Sequence, residues 1–262
     1  RAQQLNVKCS IVLSKNDKHN MLIPKFKELN ANVIFHGNNW NDADKYAREY
    51  CHNNDDSSYI EMFDDENIFR GHSTIISELY SYNNIKPDCI VVSCGGGGLL
   101  SGIALGLLQL GWQHSCTIIA AQSENCKLFY DGVQNNGKSI LSKVVTCDGH
   151  DLGYRQICEK AMFWHERFKF FENDIINVIV KDEDVLNMCQ LFADNHHTLV
   201  EPLCAVGLTA VYTRKDIFDK FSNVVVVVCG GNLVSIKDVY HWNKNDKMVN
   251  NITDILSSDD GE

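Results

Sequence analysis

Short apolar runs alternate with stretches of helical periodicity along most of the chain. Val7 to Leu13 reads as a strand, Met21 to Leu29 as a helix, Asn32 to Phe35 as a strand, and Asp42 to Cys51 as a helix with Asn41 as its N-cap. The polar stretch Asn53 to Ser58 interrupts the pattern, which then resumes. A helix is predicted over Phe69 to Tyr80, a strand over Cys89 to Ser93, a helix from Leu99 to Leu110 and a strand over Thr117 to Gln122. Further on come a helix in Gln156 to Phe168, a strand at Asn177 to Val180, helices at Glu183 to Asn195 and Ala205 to Lys215, and a strand at Val224 to Val228. Such alternation predicts an α/β fold with a largely parallel sheet and flanking helices. Cys89 to Val92 and Val224 to Val228 are apolar at every position, as suits strands covered on both faces.

The interruption predicts a small first region, residues 1–58, and a larger second one, residues 59–243. The remainder, residues 244–262, ends in an acidic run without aromatics that reads as a solvated tail. Charge then narrows the partners. With 24 Lys+Arg against 34 Asp+Glu the net charge is −10, the wrong sign for nucleic acid or an anionic membrane surface. No apolar run approaches the ~20 residues that span a bilayer. The 11 cysteines are odd in number, scattered, and never spaced as Cys-x-x-Cys, so they form neither a disulfide framework nor a zinc set. Thiols used in this way predict a reducing cytoplasm.

The most informative segment runs from Cys89 to Leu107. A buried strand enters four glycines, Gly95 to Gly98, and passes straight into an apolar helix. Residues without Cβ let successive N–H groups converge beside a helix N-terminus, a geometry that binds phosphate. Gly-x-Gly-x-x-Gly fails at Leu99, Leu100 or Ser101, and Ile103 stands where a P-loop needs its lysine, so neither nucleotide motif is present. The competing interpretation is a turn whose glycines serve only close packing. A second glycine pair follows Val224 to Cys229. Taken alone, Cys229 fits a buried structural thiol as well as a functional one at the carboxyl edge of a sheet. The third segment is Val200-Glu-Pro-Leu-Cys-Ala, which by itself is an ordinary helix start.

Together these segments resemble the fold-type-II pyridoxal-phosphate enzymes, and among them the serine/threonine dehydratases (L-serine ammonia-lyases). The resemblance rests on Phe69-Arg-Gly-His-Ser-Thr, Gly95 to Gly98 continuing as Leu-Leu-Ser-Gly, Val200-Glu-Pro-Leu-Cys-Ala and Val228-Cys-Gly-Gly-Asn, in that order, over residues 1–243. It implies a two-domain fold like that of the tryptophan synthase β chain. It gives the cofactor phosphate to the amides of Gly95, Gly96, Gly97, Gly98 and Leu99, and sets Cys229 against the pyridine nitrogen, as in the liver-type branch. The implied reaction is loss of water from L-serine or L-threonine, ending in pyruvate or 2-oxobutyrate and ammonia, in a cytoplasmic homodimer. A monovalent cation is implied near Gln122, where relatives often carry Glu, with Glu124 as a substitute ligand.

The departures matter as much. The family's Ser-x-Lys-x-Arg segment, whose lysine forms the Schiff base, and its Ser-x-Gly-Asn loop do not occur in this sequence. Arg1 to Val7 resembles the end of the helix that follows that loop, so the expectation is a chain that starts after both motifs, binds cofactor weakly if at all, and is inactive alone. Lys8, Lys15, Lys18, Lys25, Lys27 and Lys45 stand among polar neighbours and Lys86 precedes a proline, which suits solvated charges rather than desolvated amines. Two alternatives remain: a non-catalytic homologue with a binding or regulatory role, and a sister activity such as serine racemisation or cysteine synthesis. Elsewhere, His196-His197 and Trp164-His-Glu-Arg read as exposed helix positions, His72 as capping and packing, and Asp55-Asp56 and Asp64 to Glu66 as solvated turns.

Overall fold

The computed structural model describes residues 1–15, 22–83, 86–135, 146–147, 150–151 and 156–244. Met21, Lys18 and the predicted acidic tail lie outside them. Two units divide the chain, Arg1–Glu61 and Met62–Glu262.

In the first unit a short 3-10 turn, Gln3–Leu5, precedes β1 (Ser10–Leu13), followed by α1 (Ile23–Glu28), β2 (Asn32–Phe35) and α2 (Trp40–His52). β1 and β2 are parallel, with Ser10 opposite Asn32. β1 is shorter than predicted because Val7 closes a turn onto Ala2 instead, its N–H donating to that carbonyl at 2.9 Å. The cap of α2 is Asn39, not Asn41: its Oδ1 accepts from Asp42 N at 3.1 Å, and Asp42 Oδ2 accepts in return from Asn38 N and Asn39 Nδ2. That reciprocal pairing satisfies N-terminal donors two residues earlier than the apolar pattern suggests. Beyond the polar stretch the chain is tied back to α2, because Arg48 pairs with Asp44 and Glu61 and stacks over Tyr59, whose hydroxyl donates to Asp44.

The second unit carries α3 (Glu66–Asn83), β3 (Cys89–Ser93), α4 (Gly98–Gln109), β4 (Thr117–Ser123), α5 (Leu128–Gln134), a pair of two-residue strands β5 (Thr146–Cys147) and β6 (His150–Asp151), α6 (Glu159–Phe170), β7 (Ile175–Val180), α7 (Asp182–His196), α8 (Pro202–Thr213), α9 (Lys215–Phe218), β8 (Val224–Val226) and α10 (Ile236–Lys244). The principal sheet runs β7-β4-β3-β8, parallel throughout. Alternate residues of β3 serve opposite faces. Cys89 and Val91 pack with α7 and α8 residues such as Val185 and Val206, whereas Ile90 and Val92 pack with Ile76, Leu100, Ile103 and Phe168 from α3, α4 and α6. Both sides of this central strand are therefore dry, which is why its sequence shows no alternation. Leu100, Ile103 and Leu107 are fully buried on α4, each contributing about 1.5–3 kcal/mol by burial. α3 and α4 approach so closely that a Cβ at Gly102 would lie 2.3 Å from His72 Cβ, and one at Gly106 2.6 Å from Ile76 Cγ1.

α6 corrects one expectation. Trp164 and His165 are buried, at 3% and 7% exposure, because they share the inward face of the helix with Ala161 and Phe168. The ring of His165 stands edge-on to Phe129. His196 and His197 are exposed at the C-terminus of α7, where His197 takes the left-handed conformation that closes the helix.

Candidate active site

In a parallel sheet all strands end on one edge, and the motif residues follow adjacent strands there. Gly95 to Gly98 come after β3, and Cys229 comes after its neighbour β8. The third segment, at the start of α8, is drawn to the same edge by Ser93, the last residue of β3. Its hydroxyl donates to Cys204 O at 3.2 Å and accepts from Gly207 N at 3.0 Å. Glu201 N donates to Gly230 O at 3.1 Å, joining α8 to the loop after β8.

Within the glycine loop Gly97 has φ +91° and caps α4. A Cβ there would meet Ala161 Cβ and Ile157 Cδ1 at 2.8 Å; at Gly96 it would meet the Phe63 ring at 2.7 Å, and at Gly98 the Phe63 carbonyl at 2.6 Å. Phe63 and α6 thus close on one side of the loop, so tight packing is part of what these glycines do. The amides are a separate matter. Gly95 to Gly98 are buried, yet among the described residues nothing accepts from the N–H groups of Gly95 through Leu99. The first main-chain donor of the helix that is satisfied is Ser101 N, on Gly97 O. The loop is held from behind, since Cys158 N donates to Gly96 O at 2.9 Å and Cys158 Sγ touches Ser101 Oγ at 3.6 Å. Buried donors left open at a helix N-terminus, where the macrodipole is positive, fit an anion.

Cys229 is exposed rather than buried, but its sulfur turns inward, 2.7 Å from Cys204 Sγ. Cys204 Sγ in turn lies 3.5 Å from Glu201 Oε1. The contact with Cys204 lowers the Cys229 thiol below its ordinary value, whereas the same contact, burial and the Glu201 carboxylate push Cys204 up. The glycines that follow let this turn press onto α8: a Cβ at Gly230 would come 2.7 Å from Glu201 Oε1, and one at Gly231 2.0 Å from Leu199 O.

A scan of family models matches residues 1–230 to the family described as pyridoxal-phosphate dependent enzyme. The chain belongs to that family. Among its relatives, an L-serine dehydratase of Dictyostelium discoideum is 35% identical over 245 residues, covering 89% of this chain and 67% of that protein. A mouse protein named L-serine dehydratase/L-threonine deaminase is 30% identical, covering 90% and 72% respectively. Among solved structures, a fungal L-serine ammonia-lyase from Rhizomucor miehei superposes with a TM-score of 0.80 at 26% identity, over 93% of this chain and 76% of the other. The fold is accordingly that of the fold-type-II members of the family, and its cofactor is pyridoxal phosphate.

The residues present fit part of that cofactor. The open amides suit its phosphate, and an exposed thiol stands at the same edge of the sheet. Among the lysines weighed for the Schiff base, Lys8, Lys15, Lys25, Lys27, Lys45 and Lys86 are all exposed, so none is desolvated. The Gln122 amide is engaged at both ends: Oε1 accepts from Phe129 N and Tyr130 N at 2.9 and 3.2 Å, and Nε2 donates to Asn177 Oδ1 at 2.9 Å. It thereby caps α5 from within the core. Among the described residues no group of three His, Cys, Asp or Glu side chains could hold a metal. Sequence reasoning missed Phe63, Ser93 and Cys158, since each acts through a neighbour distant in the chain.

Proposed function

We propose that this chain belongs to a pyridoxal-phosphate enzyme that deaminates L-serine or L-threonine by removing water, giving pyruvate or 2-oxobutyrate and ammonia. The observation that carries this reading is the run of N–H groups at Gly95 to Leu99, four of them on buried glycines, that find no acceptor among the described residues. They would hold the phosphate, and Cys229 would donate to the ring nitrogen. When bound, the cofactor supplies the electron sink for proton removal from the amino-acid substrate. A thiol opposite the ring nitrogen stabilises positive charge there less than a carboxylate does, which suits elimination from the β-carbon. The engaged amide of Gln122 supports a capping role better than a monovalent-cation site, because a cation would have to displace two N–H donors.

The test has two readouts. Pyridoxal phosphate titrated into the 262-residue chain is expected to bind, and Gly97→Val is expected to abolish binding. Incubation of this polypeptide with L-serine and the cofactor is expected to yield no pyruvate, since Lys8, Lys15, Lys25, Lys27, Lys45 and Lys86 are exposed. Binding that persists in Gly97→Val would overturn the phosphate assignment, and pyruvate production would overturn the lysine argument.

The exposure of those lysines also favours a second reading, a non-catalytic homologue that keeps the fold for binding or regulation. A coding sequence ahead of Arg1 that contains Ser-x-Lys-x-Arg and Ser-x-Gly-Asn would decide for the enzyme. Substrate profiling of that longer product would separate dehydration from racemisation or cysteine synthesis. We further propose a homodimer, by the family resemblance, and a cytoplasmic location. The ten described cysteines without disulfides support a reducing compartment, and among the described residues no helix is long and apolar enough to cross a membrane. Sedimentation and fractionation test these two proposals.

A further inference from the structure

Cys204 and Cys229 come from different elements, 25 residues apart in sequence, and their sulfurs lie 2.7 Å from each other. Gly230 and Gly231 bring the turn after β8 against the start of α8, where a Cβ at Gly230 would also lie 3.5 Å from Cys204 Sγ. The two thiols differ in access. Cys229 is exposed, whereas Cys204 and the other described cysteines are buried or half-buried. Burial pushes Cys89 and Cys116 up to about 12, so those thiols stay protonated and unreactive. Cys229 moves the other way. An oxidant arriving from solvent therefore meets Cys229, the exposed residue of the pair, with the Cys204 thiol beside it.

We propose that Cys204 and Cys229 are an oxidisable pair, closed to a disulfide by a small-molecule disulfide of the glutathione class, and that this bond and cofactor occupancy oppose each other. The second half rests on the functional reading above, which sets Cys229 against the cofactor ring. The exchange balances. The Cys229 thiolate attacks one sulfur of the external disulfide, forming a mixed disulfide and releasing one small thiol. Cys204 then gives up its proton and attacks the Cys229 sulfur, forming the intramolecular bond and releasing the second small thiol. Two protein thiols are oxidised by two electrons, and one external disulfide is reduced to two thiols. Once bonded, Cys229 has no S–H to offer a ring nitrogen, and a bound ring in turn covers the sulfur that the oxidant must reach.

The test uses the full chain without cofactor, equilibrated across a series of oxidised-to-reduced glutathione ratios, quenched by alkylation and mapped by tryptic mass spectrometry. A reductant-sensitive link between the peptides 182–214 and 221–237, assigned to Cys204 and Cys229 by fragmentation, is expected in the wild type. In Cys204→Ser the reaction is expected to stop as a glutathione adduct on Cys229. If both thiols remain alkylated across the series, or the adduct on Cys229 also persists in the wild type, the pair is not oxidisable and the proposal fails. A second arm adds pyridoxal phosphate to the reduced chain first. Protection of the pair is expected, together with binding to the oxidised chain weakened by about tenfold or more, the scale of one lost hydrogen bond. Unchanged cross-linking with cofactor demonstrably bound would overturn that opposition. A reduced chain that binds no cofactor would overturn the functional reading instead, and the first arm would still decide the disulfide.

Discussion

At Gly97 two demands coincide, a left-handed backbone at φ +91° and a space already filled by Ala161 and Ile157. Gly97→Ala is expected to cost about 1–3 kcal/mol of stability in a denaturant titration, together with the cofactor affinity of the loop. Gln122 presents a different residue-level problem, because its buried amide satisfies two donors of α5. Gln122→Leu keeps the volume but orphans them, and a loss of about 1–3 kcal/mol in the same titration is expected. Burial also holds His165 and His72 below the ordinary imidazole value. A lowered folded value means that the unfolded chain binds more protons, so this contribution is complete above about pH 6.5 and is lost as pH falls below it. Melting temperatures measured from about pH 7 down to pH 5 should fall, and His165→Phe should flatten part of that slope.

Elements meet here through small residues and caps that are local in sequence but justified from afar. α3 and α4 touch through Gly102 and Gly106, and a Cβ at the latter would crowd Ile76 Cγ1 at 2.6 Å and Ser73 O at 2.7 Å. Gly106→Val is expected to destabilise by roughly 1–3 kcal/mol, read by chemical unfolding, through overpacking rather than any change in helix propensity. The cap of α2 offers a sharper comparison. Asn39→Ala should cost about 1 kcal/mol, whereas Asn41→Ala, one turn position inside the helix, should be near neutral. Equal effects of the two substitutions in a thermal melt would contradict the observed cap.

For the molecule as a whole, a parallel sheet ordered β7-β4-β3-β8 gathers three motifs at one edge although they are spread from residue 95 to residue 231. A ligand that binds only this assembled edge stabilises the folded chain by mass action, about 2.7 kcal/mol at a hundredfold excess over its dissociation constant. Pyridoxal phosphate should therefore raise the melting temperature of the wild type and leave that of Gly97→Val unchanged, as scanning calorimetry would show.

The alternation of apolar runs and helical periods was enough for the α/β class, and β2 and β3 stand at their predicted bounds because an apolar run between polar breaks has few other solutions. The tetraglycine loop was equally legible, since four residues without side chains after a buried strand are a local fact. Other features depended on contacts across the chain. The inward turn of Trp164 and His165 needed Phe129 and the sheet behind it, and the capping task of Gln122 needed α5 to fold back. The pairing of Cys229 with Cys204 needed the strand order, which sets β8 beside β3 while Ser93 pulls α8 to the same edge. Sequence alone determined which residues are candidates for the chemistry, because motif and periodicity are short-range. Tertiary structure decided which of them touch, because burial and hydrogen-bond satisfaction are settled only when distant segments compete for the same space.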